Sequence, residues 1–354
     1  MKSAMAHNRV LTYCDNAGVV HTRRWAAKCL AVLLCLACLV SFSACSERKA
    51  DPEEEEWDNT IIESVLKKPN LKVLDIGNSY TNDAVALLPR VVKNSGADVE
   101  DMCLYKLVRS NASFKNWCNV YADNDNQSYT FRHVVGGQSI GLSSEEATAG
   151  DGSLFRKVLT EVGWDIIIIH QVSVYAPYYE QWDGLGAGGY LDVLLSIIKK
   201  YQPKAQIGFL LVHSYWDNYS GNKEHSSLDR WQKIADSAHI LRKEYGIGFI
   251  IPYGTAVENL RASSLNNEYD LTRDGVHCGL GLCQYAAACC YYESLIAPRT
   301  GVSCAGNPAL IYVSKADSDF PGESVTESNA LLAQKAAIMA VKDMFHCNNP
   351  EVVL

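Results

Sequence analysis

The sequence has no excess of positive charge, little proline and no apolar run long enough to cross a bilayer as a helix. With 32 Lys and Arg against 40 Asp and Glu, it offers no basic stripe for a phosphate backbone, which argues against a nucleic-acid partner. Ten prolines in 354 residues, with 48% hydrophobic and 20% charged residues, exclude a collagenous, coiled-coil or disordered chain. No repeat of about 20–50 residues and no long linker divides it. Histidine and cysteine are present, but His277, Cys278 and Cys283 follow no zinc-ligand spacing, so no metal is expected. What remains is an ordinary globular composition with room for a sizeable core.

The first 45 residues stand apart from that core. Arg23, Arg24 and Lys28 precede an apolar run from Cys29 to Val40, followed by Ser41-Phe42-Ser43-Ala44-Cys45. A positive flank, a short apolar stretch and small residues before a cleavage point describe a secretory signal. The run falls short of the roughly 18 residues of a spanning helix. Ser43-Ala44-Cys45 resembles the bacterial lipobox, in which the cysteine carries the lipid, although Phe42 stands where Leu is usual. Cys45 is therefore the expected lipidation site, and an exported lipoprotein anchored in the bacterial cell envelope is the expected location. Residues 46–65, rich in Glu, read as an acidic tether. Beyond residue 45 the chain holds 27 basic and 39 acidic residues and eight cysteines. An even number permits disulfides in an exported protein, but Cys283, Cys289 and Cys290 sit in what reads as a buried helix, where thiols act as small hydrophobes.

Residues 66–354 read as one α/β domain. Strands are expected at 71–76, 102–108, 164–169, 207–212 and 247–252, with Ile166–Ile169 as four isoleucines buried on both faces. Helices are expected near 83–95 and at 153–162, 190–201, 228–245, 280–296 and 328–345. Alternation of this kind predicts a doubly wound parallel sheet covered on both sides. Tyr129–Val135 alternates like a half-exposed strand before Gly136-Gly137, which predicts a hairpin inserted at about 118–150. Residues 297–327 read as an irregular surface wrap.

Functional groups in such sheets gather beyond the carboxyl ends of the strands. The first strand ends in Gly77-Asn78-Ser79, the third in His170-Gln171, the fourth in His213-Ser214, and Asp274-Gly-Val-His277 follows the last. A serine nucleophile needs a base within reach and a third group to orient the base, and Ser79, His277 and Asp274 supply those types. Taken singly, Ser79 also suits a helix start and Asp274 a helix cap.

Gly77-Asn78-Ser79 together with Asp274-Gly-Val-His277 resembles the SGNH/GDSL hydrolase superfamily, in a branch with Gly-Asn-Ser in place of Gly-Asp-Ser. Trp164-Asp165, Gln171-Val-Ser173 and Ile251–Ala256 extend the likeness over roughly 70–296. The resemblance implies a flavodoxin-like sheet and a cofactor-free serine esterase, with Ser79 as nucleophile, His277 as base and Asp274 as orienter. The family's oxyanion hole uses the Ser backbone N–H, a Gly N–H and an Asn side chain. Its Gly-x-Asn-Asp block is absent here. Gln171 can stand for the Asn, and either Asn111 or Gly137 for the Gly, with Asn111 preferred because a backbone donor does not require glycine.

A second Asp-x-x-His, Asp236 to His239, falls inside a helix as a surface pair, and Gly184–Gly189 matches a dinucleotide fingerprint without following a strand. Tyr175, Tyr178, Trp182 and Trp216, with His213, are expected around the pocket mouth. Aromatic rings there suit a carbohydrate ester, such as an acetylated polysaccharide. The alternative expectation is a catalytically silent surface protein of the same fold that binds glycans.

Overall fold

The computed structural model describes residues 59–314 and 322–352. Its centre is a seven-stranded sheet in the order β4-β3-β2-β1-β5-β6-β7. Five of these strands, β1 (Leu71–Gly77), β2 (Met102–Val108), β5 (Ile166–Ile169), β6 (Gln206–Leu210) and β7 (Phe249–Ile251), run parallel. All four isoleucines of β5 are buried, because helices cover both faces and β-branched side chains fill the pleated surface. β1 pairs with β2 on one side, from Leu71 opposite Met102 to Gly77 opposite Val108, and with β5 on the other. The chain therefore winds outward from β1 in both directions, which places the topological switch point of the sheet at the carboxyl ends of β1 and β5. This is the flavodoxin-like, SGNH-type α/β/α architecture.

The α-helices of the described chain are α1 (Thr60–Leu66), α2 (Ser79–Val85), α3 (Leu88–Ser95), α4 (Phe114–Tyr121), α5 (Ser153–Glu161), α6 (Leu191–Tyr201), α7 (Ser227–Tyr245), α8 (Tyr253–Arg261), α9 (Leu282–Leu295), α10 (Ala297–Thr300) and α11 (Glu327–Lys342). α9 packs against α2, α3, α8 and α11, while α4, α5 and α6 pack on one another. All of α9 except Glu293 is buried, which explains a sequence that is apolar or small all round. The eight described cysteines are free thiols.

Several expectations need correction. The helix expected near 83–95 is two helices, since Leu87 leaves helical geometry and Leu88-Pro89 open the second. The segment expected as a simple hairpin contains α4 as well, and its strands β3 (Tyr129–Val135) and β4 (Glu145–Ala147) pair antiparallel at the margin of the sheet across a long loop. α8 was unexpected, and so was α1, which buries Ile62 and Leu66 where a tether was expected. The stretch after α10 is no mere surface wrap: Cys304 and Asn307 are buried, and Asn307 donates to Val91 O at 2.8 Å. The signal segment, Cys45 and most of the tether lie outside the described residues.

One buried amide ties the end of α5 to the start of β5. Gln202 accepts from the Trp164 N–H at 3.0 Å and donates to Leu159 O and Val162 O at 2.6 and 2.7 Å. Gln202→Ala leaves these backbone groups without partners, and we expect a loss of about 3 kcal/mol in urea unfolding. An unchanged midpoint would mean that the loop finds other partners.

Candidate active site

β1 ends against a tight turn. A Cβ on Gly77 would lie 2.1 Å from Thr81 Oγ1 and 2.2 Å from His170 Nε2, so only glycine fits. Asn78 then caps α2: its Oδ1 accepts from the Tyr80 N–H at 3.0 Å, and its Nδ2 donates to Ala112 O at 3.0 Å in the loop after β2. Ser79 is the first helical residue. Its N–H belongs to the first turn and has no acceptor within the helix.

The loop between α8 and α9 folds back over this turn. Thr272 bridges Cys278, and the Arg273 N–H donates to His277 O at 3.0 Å. Asp274 Oδ1 accepts from the N–H groups of Val276 and His277 at 3.0 and 2.8 Å, and its Oδ2 lies 2.6 Å from His277 Nδ1. His277 Nε2 lies 2.8 Å from Ser79 Oγ. Partial burial pushes the Asp274 carboxyl up, but the hydrogen bonds from His277 and Val276 outweigh it and hold the group below its ordinary value. The carboxylate can only accept, so Nδ1 carries the proton and Nε2 is left to accept from the Ser79 hydroxyl.

Three contacts fix the loop to its surroundings. Arg273 pairs with the buried Asp83 on α2 at 2.8 Å, and Gln284 of α9 donates to the same oxygen at 2.9 Å. Tyr80 Oη donates to Val276 O at 2.8 Å. The Trp216 N–H donates to Gly275 O at 2.9 Å, while the Tyr219 ring lies so close that a Cβ on Gly275 would meet it at 2.8 Å. Asp83 and Arg273 escaped the sequence reading. The available signal was spacing: Asp83 lies one helical turn beyond Ser79, and Arg273 precedes Asp274.

The remaining site residues divide by position. Asn111 is exposed beyond the carboxyl end of β2 with φ of 53°, the left-handed conformation that glycine and asparagine favour. Gly137 lies at the opposite edge of the sheet, with its N–H donated to Val99 O just before β2. Gln171 is fully buried; its Oε1 accepts from the Val172 N–H at 2.9 Å and its Nε2 donates to Gly188 O at 2.7 Å. It acts as a strut beneath the loops, which corrects its expected place in an oxyanion hole.

Trp182 also needs correction as a mouth residue. It is fully buried among Phe114, Tyr179 and Phe209, with its Nε1 donating to Tyr175 O. His213 is likewise buried, stacked on Tyr80 at 4.8 Å between ring centroids, and burial followed by the Arg261 charge pushes its imidazole well below the usual value. Tyr175, Tyr178 and Trp216 are half-buried; Tyr178 Oη donates to Glu224 at 2.9 Å and Trp216 packs on Tyr269. His239 lies on α7 against Phe345, away from this edge.

The sheet order and the helices on both of its faces match the SGNH-like α/β/α fold. More narrowly, the chain belongs to the DUF4886 family, a domain of unknown function whose model matches residues 72–309. A crystal structure of a DUF4886 family protein from Bacteroides uniformis shares 24% identity, covers 79% of this chain and 97% of its own, and superposes with a TM-score of 0.61. That likeness establishes the fold. Weaker likenesses are to a provisionally assigned SGNH hydrolase from Slackia heliotrinireducens (15% identity, 65% of this chain and 98% of its own, TM-score 0.39) and to a provisionally assigned GDSL-like lipase from Parabacteroides merdae (12% identity, 64% and 96%, TM-score 0.39). No curated protein matches the chain in sequence.

The Asp83–Arg273 pair carries a test of how the loop is held. In Asp83→Ala, amide hydrogens of residues 272–278 should exchange about tenfold faster or more while those of β1 and β5 stay protected. Equal protection in both proteins would show that Tyr80 and Trp216 suffice.

Proposed function

We propose that the protein is an exported serine esterase that removes acyl groups, such as acetyl, from a carbohydrate. The observation that carries this reading is the continuous run from Asp274 Oδ2 through His277 to Ser79 Oγ, with steps of 2.6 and 2.8 Å. Ser79 Oγ attacks the ester carbonyl while His277 Nε2 takes its proton. The Ser79 N–H, with Asn111 as the proposed second donor, stabilises the oxyanion, and one such donor contributes roughly 3–4 kcal/mol to lowering the barrier. His277 then protonates the leaving alcohol, and water, activated by the same imidazole, releases the acid and restores the serine.

The carbohydrate part of the reading rests on Tyr175, Tyr178 and Trp216, whose half-buried rings offer flat apolar faces beside polar groups. Export and a lipid anchor at Cys45 rest on the N-terminal sequence alone. The absent Gly-x-Asn-Asp block and the burial of Gln171 favour the second reading, a silent glycan-binding protein of the same fold.

Hydrolysis of p-nitrophenyl acetate and release of acetate from acetylated polysaccharides separate the two. Ser79→Ala and His277→Ala should each lower kcat by about 10³-fold or more, because the triad acts as a unit. His239→Ala should match the wild type. Equal turnover by wild type and His277→Ala would sink the assignment, and glycan binding without turnover would favour the second reading.

A further inference from the structure

Beneath the Gly77–Ser79 turn lies a run of buried polar groups that takes no part in these proton transfers. Asp75 on β1 is fully buried. Its Oδ2 accepts from Tyr291 Oη of α9 at 2.9 Å, and its Oδ1 lies 2.9 Å from Thr81 Oγ1 of α2. Thr81 Oγ1 is in turn 3.0 Å from His170 Nε2. The Asn78 N–H donates to that same nitrogen at 3.2 Å, and His170 Nδ1 lies 3.1 Å from Gln171 O.

Donor and acceptor parity decides where the protons are. The Gln171 carbonyl only accepts, so His170 Nδ1 carries a hydrogen. The Asn78 N–H only donates, so Nε2 carries none. If Asp75 were ionised, the single Thr81 hydroxyl proton would face two acceptors, and one contact of about 3 Å would set lone pair against lone pair in a low-dielectric site. A proton on Asp75 Oδ1 removes the conflict: Asp75 donates to Thr81, and Thr81 donates to Nε2. Placing that proton on Nε2 instead would set it against the Asn78 N–H.

We propose that Asp75 is a positioning residue that works as a neutral carboxylic acid, donating to Thr81 while Thr81 donates to His170 Nε2, so that the Gly77–Asn78 peptide holds Ser79 in line with His277. This rests on the reading of Ser79 as nucleophile. The groups facing Asp75 are Tyr291 from α9, Thr81 from α2, and Lys106, its register partner on β2, on which Arg132 and Asp83 also act. Among the described residues Lys106 makes no ion pair with it. Burial raises the carboxyl to about 7 against its two hydrogen bonds and Lys106, and burial lowers the His170 imidazole to about 4.

Asparagine imitates the protonated acid, with an amide N–H toward Thr81 and a carbonyl toward Tyr291; alanine does not. At pH 6, Asp75→Asn should keep kcat within about threefold of wild type, while Asp75→Ala loses about 10²-fold with little change in KM, the scale of a misplaced reacting group. Asp75→Asn should also lack the part of the decline above about pH 7 that wild type shows as Asp75 ionises. Rescue of kcat by Asn and not by Ala supports the proposal; equal losses in both variants overturn it.

Stability gives a readout free of catalysis. Between the ordinary carboxylate value of 3.8 and about 7, the native state holds a proton that the unfolded state has released. Wild-type stability should therefore fall with rising pH relative to Asp75→Asn across that window and run parallel above it. A flat difference overturns the inference even where Ser79→Ala proves inactive. If Ser79→Ala instead retains activity, the proposed function fails, while the stability profile still reports the proton on Asp75.

Discussion

The approach of Thr81 and His170 to the Cα of Gly77 is the constraint on which the rest of the site depends. Both atoms occupy the space of a side chain, so β1 can turn at once into α2 and present Ser79 at the sheet edge. Asn78 then spans the gap to the β2 loop through Ala112. The nucleophile is thus held from three sides by contacts that do not involve its own hydroxyl, and that hydroxyl is left to His277.

The acid–base loop is held by different means. Its outer part is open to solvent, with Asp274 exposed and His277 half-buried, so its geometry cannot come from close packing alone. It comes from backbone hydrogen bonds onto Asp274 and from the Arg273–Asp83 pair, which ties the loop to the same helix that begins with Ser79. Nucleophile and base are therefore referred to one element, and motion of α2 carries both.

Strands and long helices were legible in the sequence where periodicity was strong. Tyr129–Val135 appears as β3 with the expected limits, and α9 has the buried thiols that its small and apolar residues implied. The short elements were not legible: α8 follows β7 after a single proline, and α1 has only Ile62 and Leu66 to mark a buried face. At the site, Ser79, Asp274 and His277 could be found from strand ends and spacing. Trp182 and His213 could not be placed, since an aromatic after a strand reads alike whether it lines a mouth or fills the core. Asp75 was hidden for another reason: a lone acid inside a strand has no sequence signature of its protonation, which follows from its burial and from the Thr81–His170 contact that only the fold creates.

The two margins of the sheet have a consequence of their own. β4 is three residues long and carries Glu145 and Glu146, and β7 at the other margin is also three residues long. Both terminal strands are too short to offer a long ladder of free backbone groups, and β4 covers only Tyr129–Phe131 of β3. Short margins limit the length over which a second sheet could pair edge to edge, and where β3 runs on past β4 the Ser144 hydroxyl takes the His133 N–H.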